Sequence, residues 1–339
     1  MKAFMVERYG DQAGVRAGEM PDPRVGADDV LVRIHAASVN PLDLKLRDGE
    51  FKAILPYRLP LILGNDFAGV VVRTGSAVTR FAVGDEVYAR PGKDRIGTFA
   101  ELIAVHQDDV AIKPTTLTME EAASLPLVAL TAWQALVERA HVKPGQKVLI
   151  HAGSGGVGTI AIQLAKQLGA HVAATASTAK ADLVKGLGAD VVVDHKQQAF
   201  ETVLDGYDVV LDALGGQTLK KSLRVLKPGG MVIGIAGPPD AAFARELGAN
   251  AILRLAMSAL SYPTRRRAKR RNVTYSFLFM RASGDQLREL TPLVDAGKIR
   301  PVVDRVFPFE ETREAMEYVE KGRAKVGKVV VAMTSGHDD

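Results

Sequence analysis

Hydrophobic and polar positions alternate through the first 110 residues. In DDVLVRIHAASVN, Val30, Val32 and Ile34 fall on one face with other residues between them, the period of a half-buried strand. GVVVRTGSAV then places two β-rich runs around a Thr-Gly-Ser turn, and VGDEVYA follows. The region reads as all-β, a small irregular barrel. The pattern changes near residue 118. TMEEAASLPLVALTAWQALVERA opens with Thr118 and Glu121 at the spacing of a capping box, which predicts a helical stretch from there.

From residue 147 apolar runs alternate with helical segments. The runs are KVLIHAG, HVAATAS, DVVVDH, DVVLDAL, MVIGIAG and TYSFLFM, and the helices between them are carried by segments such as GTIAIQLAKQLG and QTLKKSLRVLKPGG. Runs without polar alternation are those of strands buried on both faces, so this alternation predicts a doubly wound parallel sheet. After about residue 284 come DQLRELTPLVDAG, IRPVVDRVFPF, a helix around TREAMEYVEKG, and KVGKVVVAM. This tail resumes the style of the start. It is expected to rejoin the first domain, giving 1–123 with 284–339 as one domain and 124–283 as an inserted second. The last residues, TSGHDD, are expected to fray.

Composition narrows the function classes. The 339 residues are 47% hydrophobic and 24% charged, the balance of an ordinary globular protein with room for two cores. No apolar run reaches the roughly 18 residues of a membrane span. The opening MKAFMVERYG reads as a strand and not as a secretory signal, so a soluble, cytoplasmic protein is expected. Cysteine is absent, which excludes disulfides, thiolate catalysis and thiolate-ligated metals. The seven histidines stand singly, and no metal site is expected. A net charge of +5 is compatible with an anionic ligand, but it gives no reason to expect nucleic acid.

The glycine-rich turn carries the first chemistry. Gly153-Ser154-Gly155-Gly156-Val157-Gly158 fits G-x-G-x-x-G, follows an expected strand and opens an expected helix, the context that gives the pattern meaning. Such a turn lets backbone approach a pyrophosphate, which the helix N-terminus then binds. A domain built for NAD places a carboxylate at the end of the next strand, for the ribose 2′-hydroxyl. Here the chain reads ATASTAK instead. Ser177, Thr178 and Lys180 suit a 2′-phosphate, so NADPH is the expected coenzyme. His195 ends the third strand and either meets the adenine end of the coenzyme or is a surface histidine.

Beyond these residues the whole chain resembles the medium-chain dehydrogenase/reductase superfamily. LGNDFAGVVVRTGSAVTRFAVGDEVYA, TFAELIAV, LPLVALTAWQAL, the glycine turn and the terminal GKVVV carry the likeness. NPLDLKLRDGEFKA and VDAGKIRPVVDRVFPF are similar to the zinc-independent quinone oxidoreductase and alkenal reductase branch, which includes mitochondrial reticulon-interacting oxidoreductases. The resemblance implies a GroES-like β-barrel catalytic domain beside a Rossmann domain, and a homodimer. It places Asn40 and Asn65 where zinc-using members carry cysteine and histidine, so metal-assisted alcohol chemistry is not expected. It implies instead hydride transfer from NADPH to a quinone or an α,β-unsaturated carbonyl. The alternatives are an enone reductase for which quinones are incidental, and a non-catalytic NADPH-binding protein of crystallin-like or RNA-binding kind.

Residue by residue, the resemblance assigns Ser154, Gly155, Gly156, Val157 and Gly158 to the pyrophosphate, and Ser177 with Lys180 to the 2′-phosphate. Asn40 and Thr131 go to the nicotinamide ribose. Leu214, Gly215, Gly237 and Phe279, the last in the sixth strand, go to the nicotinamide side, with sheet core as the alternative for Phe279 and Phe277. Gly327 and Lys328 return from the tail to the cleft. Asn40, Lys45 and Tyr57 are candidate donors to the substrate oxygen, and the proton comes from Tyr57 or from water. The segment 238–272 is long for a strand connection. Its apolar half reads as a helix able to cover the active site, and its six basic residues between 265 and 271 as a solvated loop or a patch that attracts an anion or a membrane surface.

Overall fold

The computed structural model describes residues 1–10, 14–52 and 54–333. The expected fraying of 334–339 lies outside them. The chain divides into two compact units, Met1–Leu130 with Arg281–Asp339, and Thr131–Met280. These divisions lie a few residues inside the expected 123/124 and 283/284.

In the first unit, β1 (Lys2–Val6) pairs with β2 (Val15–Glu19), and after β3 (Asp29–Val39) with the short β4 (Leu61–Ile62). The other strands are β5 (Phe67–Thr74), β6 (Glu86–Ala89), β7 (Leu102–His106) and β8 (Val110–Ile112). The long β3 is the organiser, antiparallel to both β5 and β7. Its Val30, Val32 and Ile34 are buried while Arg33 and His35 are exposed, as the period of two requires. Thr118 caps the helix Met119–Ala123 and Glu121 reaches back to it, the box expected from the sequence.

The second unit is an open sheet of β9 (Lys147–Ile150), β10 (His171–Ala176), β11 (Val191–Asp194), β12 (Tyr207–Asp212), β13 (Leu226–Gly234) and β14 (Thr274–Phe277). Its order is β11-β10-β9-β12-β13-β14, and every adjacent pair is parallel. This is the doubly wound dinucleotide-binding order, which places ligands at the carboxyl ends of β9 and β12. Two expectations are corrected here. Phe279 lies beyond the sixth strand, which ends at Phe277. The basic run at 265–271 is no loop: a 20-residue helix, Ala251–Arg270, carries it through Pro263, preceded by the helix Ala241–Glu246. Pro263 keeps the helix because it sits on the exposed side, where the carbonyl it leaves unpaired meets water.

The tail supplies β15 (Val303–Pro308) and β16 (Lys328–Ala332). β16 is antiparallel to β3, with Val329 opposite Val39. Further ties hold the tail to the first unit. Tyr88 donates to the Leu287 carbonyl at 2.9 Å, Phe4 meets Phe309 edge to face at 5.1 Å, and the buried Arg47 forks onto Glu320 at 2.6 and 3.1 Å. No helix among the described residues is long and apolar enough to cross a membrane.

Candidate functional site

The glycine turn follows β9. Ala152 takes a left-handed φ of 53°, and Gly155 N–H donates to its carbonyl at 2.9 Å, which closes the turn before the helix Gly156–Gln167. Each glycine has a different reason. A Cβ at Gly158 would lie 2.2 Å from the Ala152 oxygen, and one at Gly153 would lie 2.9 Å from Ala174 Cβ, so both serve close packing of helix on sheet. At Gly155 nothing but the Ala152 oxygen, at 3.4 Å, would be met, so that position is an open ledge. No side chain caps this helix, and its leading N–H groups are left for a ligand. A bare ledge before an uncapped 12-residue helix fits a pyrophosphate. Ser154, Gly155, Gly156 and Val157 are half-buried around it, and Gly158 is buried beneath.

The carboxyl ends of β10 and β11 lie side by side, Ala176 opposite Asp194. Ser177, Lys180 and His195 gather there. His195 Nδ1–H donates to the Ala176 carbonyl at 2.8 Å, which turns Nε2 outward. Thr178 donates to the Asp194 carboxylate, and with the Lys196 N–H this holds that carboxyl below its ordinary range. Thr178 is therefore committed to the protein. Among the described residues, Ser177 Oγ and Lys180 Nζ have no hydrogen-bond or ion-pair partner. A hydroxyl and an ammonium free beside an exposed imidazole fit a phosphate monoester.

Further along the same edge, Asp212 ends β12 and accepts from the Leu214 and Gly215 amides at 2.8 and 2.9 Å. Its other oxygen is buried without a partner among the described residues, and burial pushes its pKa up. Gly215 has a φ of 68°, and a Cβ there would lie 2.4 Å from the Ala236 oxygen. A Cβ at Gly237 would lie 2.5 Å from the Tyr275 hydroxyl. Leu214, Gly215 and Gly237 are thus brought together by the loops after β12 and β13. Leu214 is exposed, and Thr131 is buried in the helix Pro126–Trp133. Phe277 is core. Phe279 is half-buried and tilts against Phe243 at 5.6 Å, within the cluster that Phe243 and Phe277 form.

In the first unit the candidates lie around the end of β3. Asn40 caps the helix Pro41–Arg47, its N–H donating to Asp43 Oδ2 at 2.7 Å. Its side-chain amide donates to the Ser38 carbonyl at 3.2 Å and to Asp66 Oδ1 at 3.1 Å. Its side-chain oxygen accepts from Lys328 Nζ, which also donates to the Val39 carbonyl at 3.1 Å and stands 3.8 Å from Asp66 Oδ2. Asp66 accepts further from Ser38 Oγ at 2.6 Å. Asn65 donates to Asp43 Oδ1 at 2.7 Å, while its own oxygen is buried without a partner among the described residues. All six side chains are buried. Burial raises the Asp43 pKa to about 6, with the neighbouring Asp66 adding to the rise. Burial also raises Asp66, against the pull of Lys328, and it lowers Lys328, against the pull of Asp66 and Asp43. Gly327 is required before Lys328: its φ is 50°, and a Cβ would lie 1.8 Å from the Val302 oxygen.

Each of the candidate donors has a partner within the protein. Asn40 has both amide hydrogens and its oxygen engaged, with Ser38, Asp66 and Lys328. Lys328 is likewise engaged inside the network. Lys45 is exposed and paired with Glu50 at 3.0 Å. Tyr57 donates to the Lys93 carbonyl at 2.6 Å, and burial raises its pKa to about 12. Asp43, Asp66 and Ser38 join the candidates only through the fold. The Asn-Pro-x-Asp run at 40–43 carried a signal for one of them, a cap followed by proline and an acidic residue in the first turn.

Comparison with known proteins gives this arrangement its family. Residues 26–115 match the alcohol dehydrogenase GroES-like domain, and residues 187–331 match a zinc-binding dehydrogenase family. The chain is 37% identical to the chloroplastic NADPH-dependent alkenal/one oxidoreductase of Arabidopsis thaliana, over 98% of this chain and 79% of that one. The chain belongs to the medium-chain dehydrogenase/reductase superfamily. Within that superfamily it is also 37% identical to the mitochondrial NAD(P)H oxidoreductase RTN4IP1 of Mus musculus, covering 98% of this chain and 89% of that one. The quinone oxidoreductase of Coxiella burnetii has the same fold, with a TM-score of 0.85 and 32% identity, covering 98% of this chain and 99% of that one.

The zinc in one matched family's description meets an unsuitable donor set here. At positions 40 and 65 stand two carboxamides, and the chain has no cysteine. A carboxamide nitrogen is no ligand, and Lys328 already holds the Asn40 oxygen. These residues do not fit a zinc ion.

Proposed function

We propose that this chain is a metal-free, NADPH-dependent reductase of quinones and α,β-unsaturated carbonyl compounds. The observation that carries the reading is the buried Lys328 ammonium bound to Asn40 and facing Asp66. NADPH when bound supplies a hydride from its nicotinamide ring. The glycine ledge and the uncapped Gly156–Gln167 helix bind the pyrophosphate. Ser177 and Lys180 distinguish a 2′-phosphate from a 2′-hydroxyl, and His195 Nε2 borders the same group. The Asn40–Asp66–Lys328 network fixes the ends of β3 and β16, so that the site is preorganised without a metal. With Tyr57 committed to Lys93, the proton delivered to the reduced product comes from water.

The test is oxidation of NADPH and of NADH by a panel of simple quinones and alkenals, with and without a strong chelator, alongside metal analysis. NADPH should be oxidised in preference to NADH, at a rate the chelator leaves unchanged. Stoichiometric zinc that leaves together with activity would overturn the reading.

A further inference from the structure

The helix Ala251–Arg270 has a face that none of the described residues covers. Met257, Ser261, Thr264 and Ala268 form the stripe that packs on its own unit. On the other side Ile252, Leu255, Leu260 and Tyr262 are 80%, 73%, 60% and 55% exposed, four of the nine large hydrophobic residues exposed among those described. Large side chains this exposed are scattered singly on most surfaces, whereas here they share one helix face with Ala256, Ala259 and Pro263. The next two turns change chemistry on the same face, to Arg266, Arg267, Lys269 and Arg270, with Arg271 at the C-cap. No aspartate or glutamate occurs between Glu246 and Asp285. Arg265 turns back onto Ser258, at 2.9 and 2.8 Å from its carbonyl and hydroxyl. The five cations from Arg266 to Arg271 have no ion-pair partner among the described residues.

From this juxtaposition we infer that the helix is a docking surface for membranes containing acidic phospholipids. The cationic turns match lipid phosphates, which arginine binds with paired donors. The apolar turns match the acyl boundary just beneath, and Tyr262 stands between the two zones, where aromatic rings with a polar tip are favoured. A 20-residue helix is about 30 Å long, enough to lie in the interface plane. Nucleic acid would satisfy the arginines but leave Ile252, Leu255 and Leu260 in water. A second copy would set the cationic turns against the same turns or, if reversed, against the apolar turns that carry Ile252 and Leu255. The inference is independent of the coenzyme and the reaction.

The experiment is flotation of the full chain with vesicles of phosphatidylcholine alone, or of phosphatidylcholine mixed with phosphatidylserine, at about 0.1 M salt, where charges are screened beyond about 10 Å. Wild type should bind the acidic vesicles at least about tenfold more tightly than the neutral ones. Replacing Arg266, Arg267, Lys269 and Arg270 by glutamine should weaken acidic-vesicle binding roughly fivefold per cation, more than 100-fold in all. Ile252→Ser and Leu255→Ser should each weaken it about tenfold. All these side chains are exposed, so unchanged thermal unfolding of each variant confirms that the fold is intact. Equal binding to both vesicle types, absence of binding, or insensitivity to the variants would overturn the proposal. So would a Leu255→Arg change that halves the solution mass, which assigns the face to a second copy, or single-stranded RNA bound more tightly than acidic vesicles.

Discussion

Replacing Asp43 by asparagine tests the buried network most directly. Asp43 is fully buried, and its two oxygens accept from the Asn40 N–H and from Asn65, each at 2.7 Å. Its pKa stands at about 6 against an ordinary 3.8. A carboxyl raised on folding binds more protons folded than unfolded, so its ionisation destabilises the fold as pH climbs through that window. That rise corresponds to about 3 kcal/mol, absent below pH 4 and fully present at pH 7. Asparagine removes that cost. It turns one acceptor into a donor, but Asn65 can rotate its unpaired oxygen to receive it, so the number of hydrogen bonds is conserved. Asp43→Asn should therefore be more stable than wild type by about 1–3 kcal/mol at pH 7, and by under about 1 kcal/mol at pH 4. Hydrogen exchange of β5 and β16 amides, compared between the two proteins at each pH, isolates this one group from carboxylates of opposite sign such as Asp29 and Asp190. A difference that is flat with pH, or a variant less stable at pH 7, would refute the reasoning.

Three other outcomes follow from geometry. Lys180→Ala should weaken NADPH about 10- to 100-fold and leave NADH nearly unchanged, since one charge-assisted phosphate contact is lost; equal weakening of both coenzymes in a titration contradicts the 2′-phosphate assignment. Gly158→Ala drives a Cβ to 2.2 Å from the Ala152 oxygen and should cost about 3 kcal/mol or more, whereas Gly155→Ala, whose nearest neighbour is at 3.4 Å, should melt as wild type. Tyr57→Phe should change kcat by less than about threefold, because its proton is held by Lys93; a loss of about 100-fold or more would make Tyr57 the acid after all.

Much of the fold could be read in the sequence because burial writes itself into simple periods. The six strands of the parallel sheet were visible as unbroken apolar runs, and Thr118–Glu121 marked a real cap. The helix Ala251–Arg270 was half visible. Its packing stripe of Met257, Ser261, Thr264 and Ala268 is too small and polar to register as a hydrophobic face, and Pro263 with five arginines beyond it imitates a loop. The glycine turn was legible because close packing of helix on sheet demands glycine at fixed spacing. The network at Asn40 was not, since it joins residues 38–43, 65–66 and 328 through tertiary contacts that leave no local pattern. Buried carboxylates such as Asp66 look, in a sequence, like any surface acid.

The pairing of β16 with β3 sets an order of events during synthesis. Val39 waits for Val329, and the two carboxylates at 43 and 66 wait for the ammonium at 328. The strands of the middle unit are contiguous in sequence, so its sheet can close while the tail is still unmade. Until the tail arrives, the nascent barrel has β3 without its last partner and two acidic side chains without their counter-charge. A chain released just short of residue 328 would strand them, and protease sensitivity of such a fragment would be concentrated in the amino-terminal third.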